Sequence, residues 1–107
     1  MKKFIRVLIK EPGKAAEMRT IENTLEALQK IVGGYIETVT MFADLVVICN
    51  EEGRINAMPF NCELLGVDFF GTIILAGVDG EDFGDSPKDE EVWRRLLPRL
   101  FDAEARR

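Results

Sequence analysis

Residues 44–49 read Asp44-Leu45-Val46-Val47-Ile48-Cys49, five apolar side chains in an unbroken row. A strand sends successive side chains to opposite faces. A run with no alternation therefore suits a central strand and not a half-exposed edge. Two further stretches are of the same kind. Phe4-Ile5-Arg6-Val7-Leu8-Ile9-Lys10 is β-branched and mostly apolar and predicts a first strand. Residues 69–78, rich in Phe and Ile, are about half as long as a membrane span requires and predict another buried strand.

The segments between these runs fill in the order. Residues 15–21 alternate polar and apolar side chains and suit an edge strand. Residues 23–32 predict a helix, with Asn23 as N-cap, Glu26 reaching back and Leu25, Leu28, Ile31 and Val32 on one face. Gly33-Gly34 ends it, one glycine being left-handed, and a strand follows over 35–41. Asn50-Glu51-Glu52-Gly53 predicts a hairpin turn into a strand over 54–58, with Arg54, Asn56 and Met58 on one side. After Pro59, Asn61 is expected to cap a single helical turn over 62–65, stopped by Gly66. Residues 79–85 form an acidic loop. Ser86-Pro87 then opens a second helix, which Pro98 should kink or break near Leu97.

The expected order is β-(β)-α-β-β-β-β-α in one domain of 107 residues, a core over 4–78 with a C-terminal helical extension over 87–107. The class is α+β: a single mixed or antiparallel sheet of about four to six strands, with two helices packed on one face.

Several function classes lose their chemistry at this stage. The chain has no histidine and one serine, so His-based triads and His ligands are absent. Cys49 and Cys62 lie apart with no CxxC and no histidine base, which fits buried thiols in a reduced cytoplasmic setting. The net charge is −5, and Arg94, Arg95, Arg99, Arg106 and Arg107 read as a solvated helix face, so nucleic acid is not favoured. The acidic loop lacks EF-hand spacing, having Phe83 at the fifth position. Gly33-Gly34 follows a helix and is no phosphate cradle. No cofactor, metal ligand or membrane segment is expected.

A polar set remains. Asn50, Asn56 and Asn61 fall within twelve residues, with Arg54 on the same predicted strand face as Asn56. Asparagine is poor in strand interiors, and Asn50 and Asn61 have ready posts at turns. The binding residues expected are Tyr35, Arg54, Asn56 and Asn61, the phenol of Tyr35 being placed to stack on a ligand.

The run from Thr24 to Glu37, with Leu28-Gln29-Lys30-Ile31-Val32-Gly33-Gly34-Tyr35-Ile36-Glu37 at its centre, is followed by Cys49-Asn50-Glu51-Glu52-Gly53, by Asn61 after Pro59, and by Phe70-Gly71-Thr72-Ile73-Ile74-Leu75-Ala76-Gly77. In this order, over roughly residues 4–78, the chain resembles the small bacteriophage and mobile-element proteins grouped as domain of unknown function 3846. The resemblance implies a cytoplasmic protein of a bacterial or phage-infected cell and carries no reaction with it. Together these readings favour a non-catalytic accessory protein that binds an unknown protein partner or a small polar ligand. A homodimer through Phe69, Phe70 or Trp93 is one version. A binder that sequesters a nucleotide-type signal is the alternative. A metal-dependent hydrolase using Glu51, Glu52, Asp79, Glu81, Asp82 and Asp85 ranks last, because two separate loops would have to converge.

Overall fold

The computed structural model describes residues 2–102. Eight strands and two helices follow in the order β1 (Phe4–Lys10), β2 (Glu17–Glu22), α1 (Leu25–Val32), β3 (Ile36–Phe42), β4 (Leu45–Asn50), β5 (Phe60–Leu64), β6 (Val67–Phe70), β7 (Ile73–Asp79), β8 (Asp82–Gly84) and α2 (Glu90–Leu96). A 3-10 turn, Pro98–Phe101, closes the described chain. The main sheet runs β2-β1-β7-β4-β3, with β8 beside β7, and β5-β6 form a separate two-stranded sheet. Every pairing is antiparallel. The class is α+β, as the sequence predicts.

The three apolar runs occupy the middle of the main sheet. All six residues of β4 are buried, as are the first five of β7 and the last four of β1. Alternation divides them between two cores. Ile5, Val7, Val46, Ile48 and Ile74 face α1 through Leu28 and Val32. Leu8, Val47, Leu75 and their neighbours face the β5-β6 hairpin and the C-terminal helices through Cys62, Phe69, Trp93 and Leu100. The helices therefore lie on opposite faces of the sheet, a correction to the expected single face. Central strands with apolar residues on both parities leave no face that water can cover.

Four local expectations give way for identifiable reasons. The strand expected over 54–58 is a series of turns, with Asn56 N–H bonding Glu52 O at 2.8 Å and Met58 N–H bonding Gly53 O at 2.9 Å. Strand β4 already has β3 on one side and β7 on the other, so a returning strand has no edge to join. Residues expected as a helical turn form β5, because Cys62 and Leu64 alternate into the core while Glu63 does not. The run 69–78 is split in two by Gly71, whose φ of +78° turns the chain out of the small sheet and into the large one. The acidic loop is the β7-β8 hairpin, in which Asp79 pairs with Asp82.

The helix ends follow their sequences with two shifts. Thr24, not Asn23, caps α1 by accepting from Ala27 N–H at 3.1 Å. The Asn23 amide instead donates to Lys2 O at 3.2 Å and Phe83 O at 3.0 Å, tying β1 to β8. Asp89, not Ser86, caps α2. The Ser86 hydroxyl accepts from the buried Trp93 indole N–H at 2.8 Å, a donor that needs a partner once it leaves water. Gly33 takes the left-handed position after α1 with φ +83°, and α2 breaks at Leu97 before Pro98, both as predicted.

The β5-β6 turn places Leu65 at φ +49° and Gly66 at φ +86°. Left-handed backbone costs a β-carbon-bearing residue roughly 1–2 kcal/mol, and Asn-Gly is the favoured pair for such turns. The Leu65 side chain is 60 % exposed, so little burial is lost on replacing it. Leu65→Asn is expected to stabilise the fold by about 1 kcal/mol, read as a higher urea midpoint at constant slope. An equal or lower midpoint contradicts the turn assignment.

Candidate functional site

Chain leaving β4 must rise off the sheet, and the way it does so builds a cleft. The Asn50 side chain organises the exit. Its Nδ2 donates to Val32 O at 3.2 Å, and its Oδ1 accepts from Glu52 N–H at 2.7 Å. The end of α1, the end of β4 and the start of the 51–58 segment are thereby joined by one amide. Close backbone approach does the rest. A β-carbon on Gly34 would stand 2.8 Å from Asn50 Nδ2, and one on Gly53 would stand 2.8 Å from Phe70 O. Met58 fills the space over Gly33 and Gly71, lying 3.5 Å and 2.7 Å from where their β-carbons would be.

This segment stands beside β6 and opposite β3, leaving a cleft of about 300 Å³ between them. Val39 and Cys49 line it from the sheet, Arg54 and Ile55 from the segment, and Phe69 and Phe70 from β6. The Arg54 guanidinium lies 4.6 Å from the Phe70 ring centroid, a cation–π contact. Phe70 is itself held edge-on by Phe60, at 5.7 Å between centroids and 72° between planes. Three carboxylates also border the cleft, Glu37 and Glu51 beside the sheet and Asp68 on β6. Glu37 pairs with Cys49 across the β3-β4 ladder, and the Glu51 N–H donates to Tyr35 O at 2.9 Å, extending that ladder by one pair. Glu51 follows Cys49 by two positions, so it shares a sheet face with Glu37.

Of the residues expected to bind, Arg54 lines the cleft. Tyr35 stands at the mouth of the same ladder, 71 % exposed, and Asn56 is exposed on the turn segment. Asn61 is elsewhere. It is buried, and its Nδ2 donates to Lys10 O and Gly71 O, each at 2.7 Å. Its place is inside the fold, where it ties the end of β1 to the turn between β6 and β7. Of the aromatic residues expected to make an oligomer contact, Phe69 and Trp93 belong to the core. Glu37 and Val39 carry no local signal of this role, since nothing in their own segment says that a strand lies beside a raised loop.

The remaining chemical groups are held apart. Both cysteines are free and buried, and burial pushes each thiol up to about 11, with Glu37 adding to the effect at Cys49. Neither is a thiolate at neutral pH. Asp85 pairs with Lys2 and accepts from Arg6 N–H at 2.9 Å, and the Lys2 hydrogen bond holds its carboxyl below the usual range. Among the described residues no three His, Cys, Asp or Glu side chains gather as a metal site would need. Arg94 lies on the Phe101 ring and pairs with Glu90, while Arg99 pairs with Glu63. Arg106 and Arg107 lie outside the described residues.

An α+β fold of two cores about one antiparallel sheet, with a lateral cleft under a raised loop, defines the structural class. Family comparison places the chain within it: residues 5–97 match the domain of unknown function DUF3846, and the chain belongs to that family. The match runs through β7, β8 and α2, beyond the 4–78 segment on which the resemblance rests. No curated protein and no solved structure matches the chain. Among the described residues no helix is long and apolar enough to cross a membrane.

Among the described residues, Lys10 is the buried cation beside Asn61. It is 1 % exposed and its Nζ donates to Glu11 O at 2.8 Å. Desolvation lowers its pKa from 10.5, only partly opposed by Cys62 and Asp102. The folded state thus resists the ammonium form, and that cost is full below the lowered pKa. It fades as pH rises toward 10.5, where the unfolded lysine also loses its proton. Lys10→Met is expected to be more stable than the wild type by roughly 1 kcal/mol at pH 7, with the gap shrinking by pH 10. A gap that is constant with pH, in paired urea titrations, contradicts this.

Proposed function

We propose that this chain is a non-catalytic binding protein that acts through the cleft between β3 and the 51–58 segment. The setting proposed with it is the cytoplasm of a bacterium carrying a phage or mobile element. The observation that carries the reading is the construction of the cleft. Asn50, Gly53 and Phe70 fix a loop whose arginine is held on an aromatic ring at the border of a 300 Å³ recess. A preformed recess lined by apolar and aromatic side chains with a few placed polar groups is the usual form of a recognition site. Its groups suit contact better than bond-making. Its thiol, Cys49, is protonated at neutral pH, and of its acids Glu37 and Glu51 are exposed and Asp68 is half-buried.

The nucleotide-sequestering alternative needs Tyr35, Arg54, Asn56 and Asn61 around one ligand, and Asn61 is internal. A protein partner is therefore preferred to a small ligand. Affinity capture from the native host with wild type and with Arg54→Ala/Asn56→Ala tests the assignment. Loss of the captured partner in the folded double variant is the expected result, and an unchanged set of partners overturns it. A thermal-shift titration with mono-, di- and cyclic nucleotides separates the alternative. No shift is expected, whereas a tight nucleotide would raise the melting temperature.

A further inference from the structure

The two edges of the main sheet are built differently. Strand β2 ends one side and carries Glu17, Arg19 and Glu22, with Arg19 engaged by Glu11 and Glu17. Charged side chains of this sort discourage another strand from pairing. Strand β3 ends the other side with Ile36-Glu37-Thr38-Val39-Thr40, a β-branched run with one charge and no proline. Its regular register ends at the irregularity between Thr40 and Phe42.

The ladder gives the direction of its free groups. Glu51 N–H bonds Tyr35 O, so Tyr35, Glu37 and Val39 turn their main-chain groups toward β4. By alternation, Ile36, Thr38 and Thr40 turn theirs outward, where no strand of the sheet meets them. The cleft lies on one face of this open edge, so a strand added to β3 would send alternate side chains along it. Glu37 and Glu51 border that path, and neither carboxylate has a hydrogen-bond or ion-pair partner among the described residues. Diagonal like charges on one sheet face repel, and a cation between them removes that repulsion.

We propose that the free edge of β3 receives an extended, basic segment of a partner protein. The segment pairs its main chain with Ile36, Thr38 and Thr40 and places a Lys or Arg side chain between Glu37 and Glu51. Main-chain pairing supplies affinity and the alternate side chain supplies selectivity, as in other strand-addition complexes. A second copy of the chain is the weaker occupant, because β3 itself has no Lys or Arg to bring to the acidic pair. This inference rests on the cleft as a protein-binding site and names the partner's chemistry.

The test uses the whole chain and a labelled Val-Lys-Val-Lys-Val-Lys-Val peptide, followed by fluorescence anisotropy. Controls are the peptide with Glu for Lys and one with alternate N-methylated amides. The Lys peptide is expected to bind, and both controls to bind at least tenfold more weakly. Glu37→Gln/Glu51→Gln is expected to weaken the Lys peptide at least tenfold. Thr38→Pro removes an outward N–H while leaving the β3-β4 ladder intact, a place where proline is tolerated. It is expected to abolish binding with the circular dichroism and melting of the free protein nearly unchanged. Should Thr38→Pro fail to fold, the N-methylated peptide on wild type carries the same test. Equal binding of Lys and Glu peptides, no binding of the Lys peptide at millimolar concentration, or full binding to folded Thr38→Pro overturns the proposal. So does a sedimenting dimer that Thr38→Pro dissociates. If host capture depends on Arg54 but not on Thr38, the cleft reading stands and the edge proposal falls. If capture ignores Arg54 as well, both fall.

Discussion

Strand β4 cannot meet water on either face, and much of the architecture follows from that. Its six residues are buried: Leu45, Val47 and Cys49 in one core, Val46 and Ile48 in the other, and Asn50 hydrogen-bonded to the end of α1. Burying a Val, Leu or Ile side chain contributes about 1.5–3 kcal/mol, so leaving either face uncovered would forfeit several such contributions. One helix can cover one face only. Helix α1 covers the first, and the second is closed by the β5-β6 hairpin together with Trp93 and Leu100 from the C-terminal helices. Trp93 and Leu100 make the C-terminal helices part of the core and not an appendage, in keeping with a family match that reaches residue 97.

The requirement for a second cover also explains the cleft. The chain that leaves β4 finds both sides of the strand taken, so it must climb over the sheet before returning as β5. Gly34, Gly53 and Gly71 let backbone and side chains approach closely during that climb, and the Asn50 amide fixes its first turn. Among the residues by which the chain resembles its family, Gly33-Gly34, Asn50 to Gly53 and Gly71 thus meet around one loop, while Asn61 ties the end of β1 to the turn after β6. Each has a structural post there. What they jointly hold in position is Arg54 on Phe70, at the border of an open recess.

The α+β class, the first strand, the central strand and α1 were legible because each is declared by a local pattern. Pro98 and Gly33 acted where the sequence put them, since a missing N–H and a left-handed cap are properties of the residue itself. The strand expected over 54–58 failed for a non-local reason: alternation of side chains says nothing about whether a sheet edge is vacant. Helix placement failed in the same way, because periodicity names a helix's buried face but not the face of the sheet that receives it. Of the expected binding residues, Arg54 borders the cleft, while Asn61 became an internal clamp. Its pattern as an isolated polar residue after a proline suits a surface and an interior post equally well. Glu37 and Val39 enter the site only once β3 is known to run beside the loop.

The central claim is a doubly covered trio of strands flanked by one open edge. Amide hydrogen exchange measures it residue by residue, because exposed and buried hydrogen bonds open with different free energies. The account predicts that the amides of Val46, Val47, Ile74 and Leu75 exchange only through global unfolding. Within β3 it predicts alternation, with Glu37 and Val39 protected and Ile36, Thr38 and Thr40 exchanging close to the rate of an unstructured chain. Protection of Thr38 equal to that of Val39 in the monomer, or β4 amides exchanging as fast as those of β2, would contradict it.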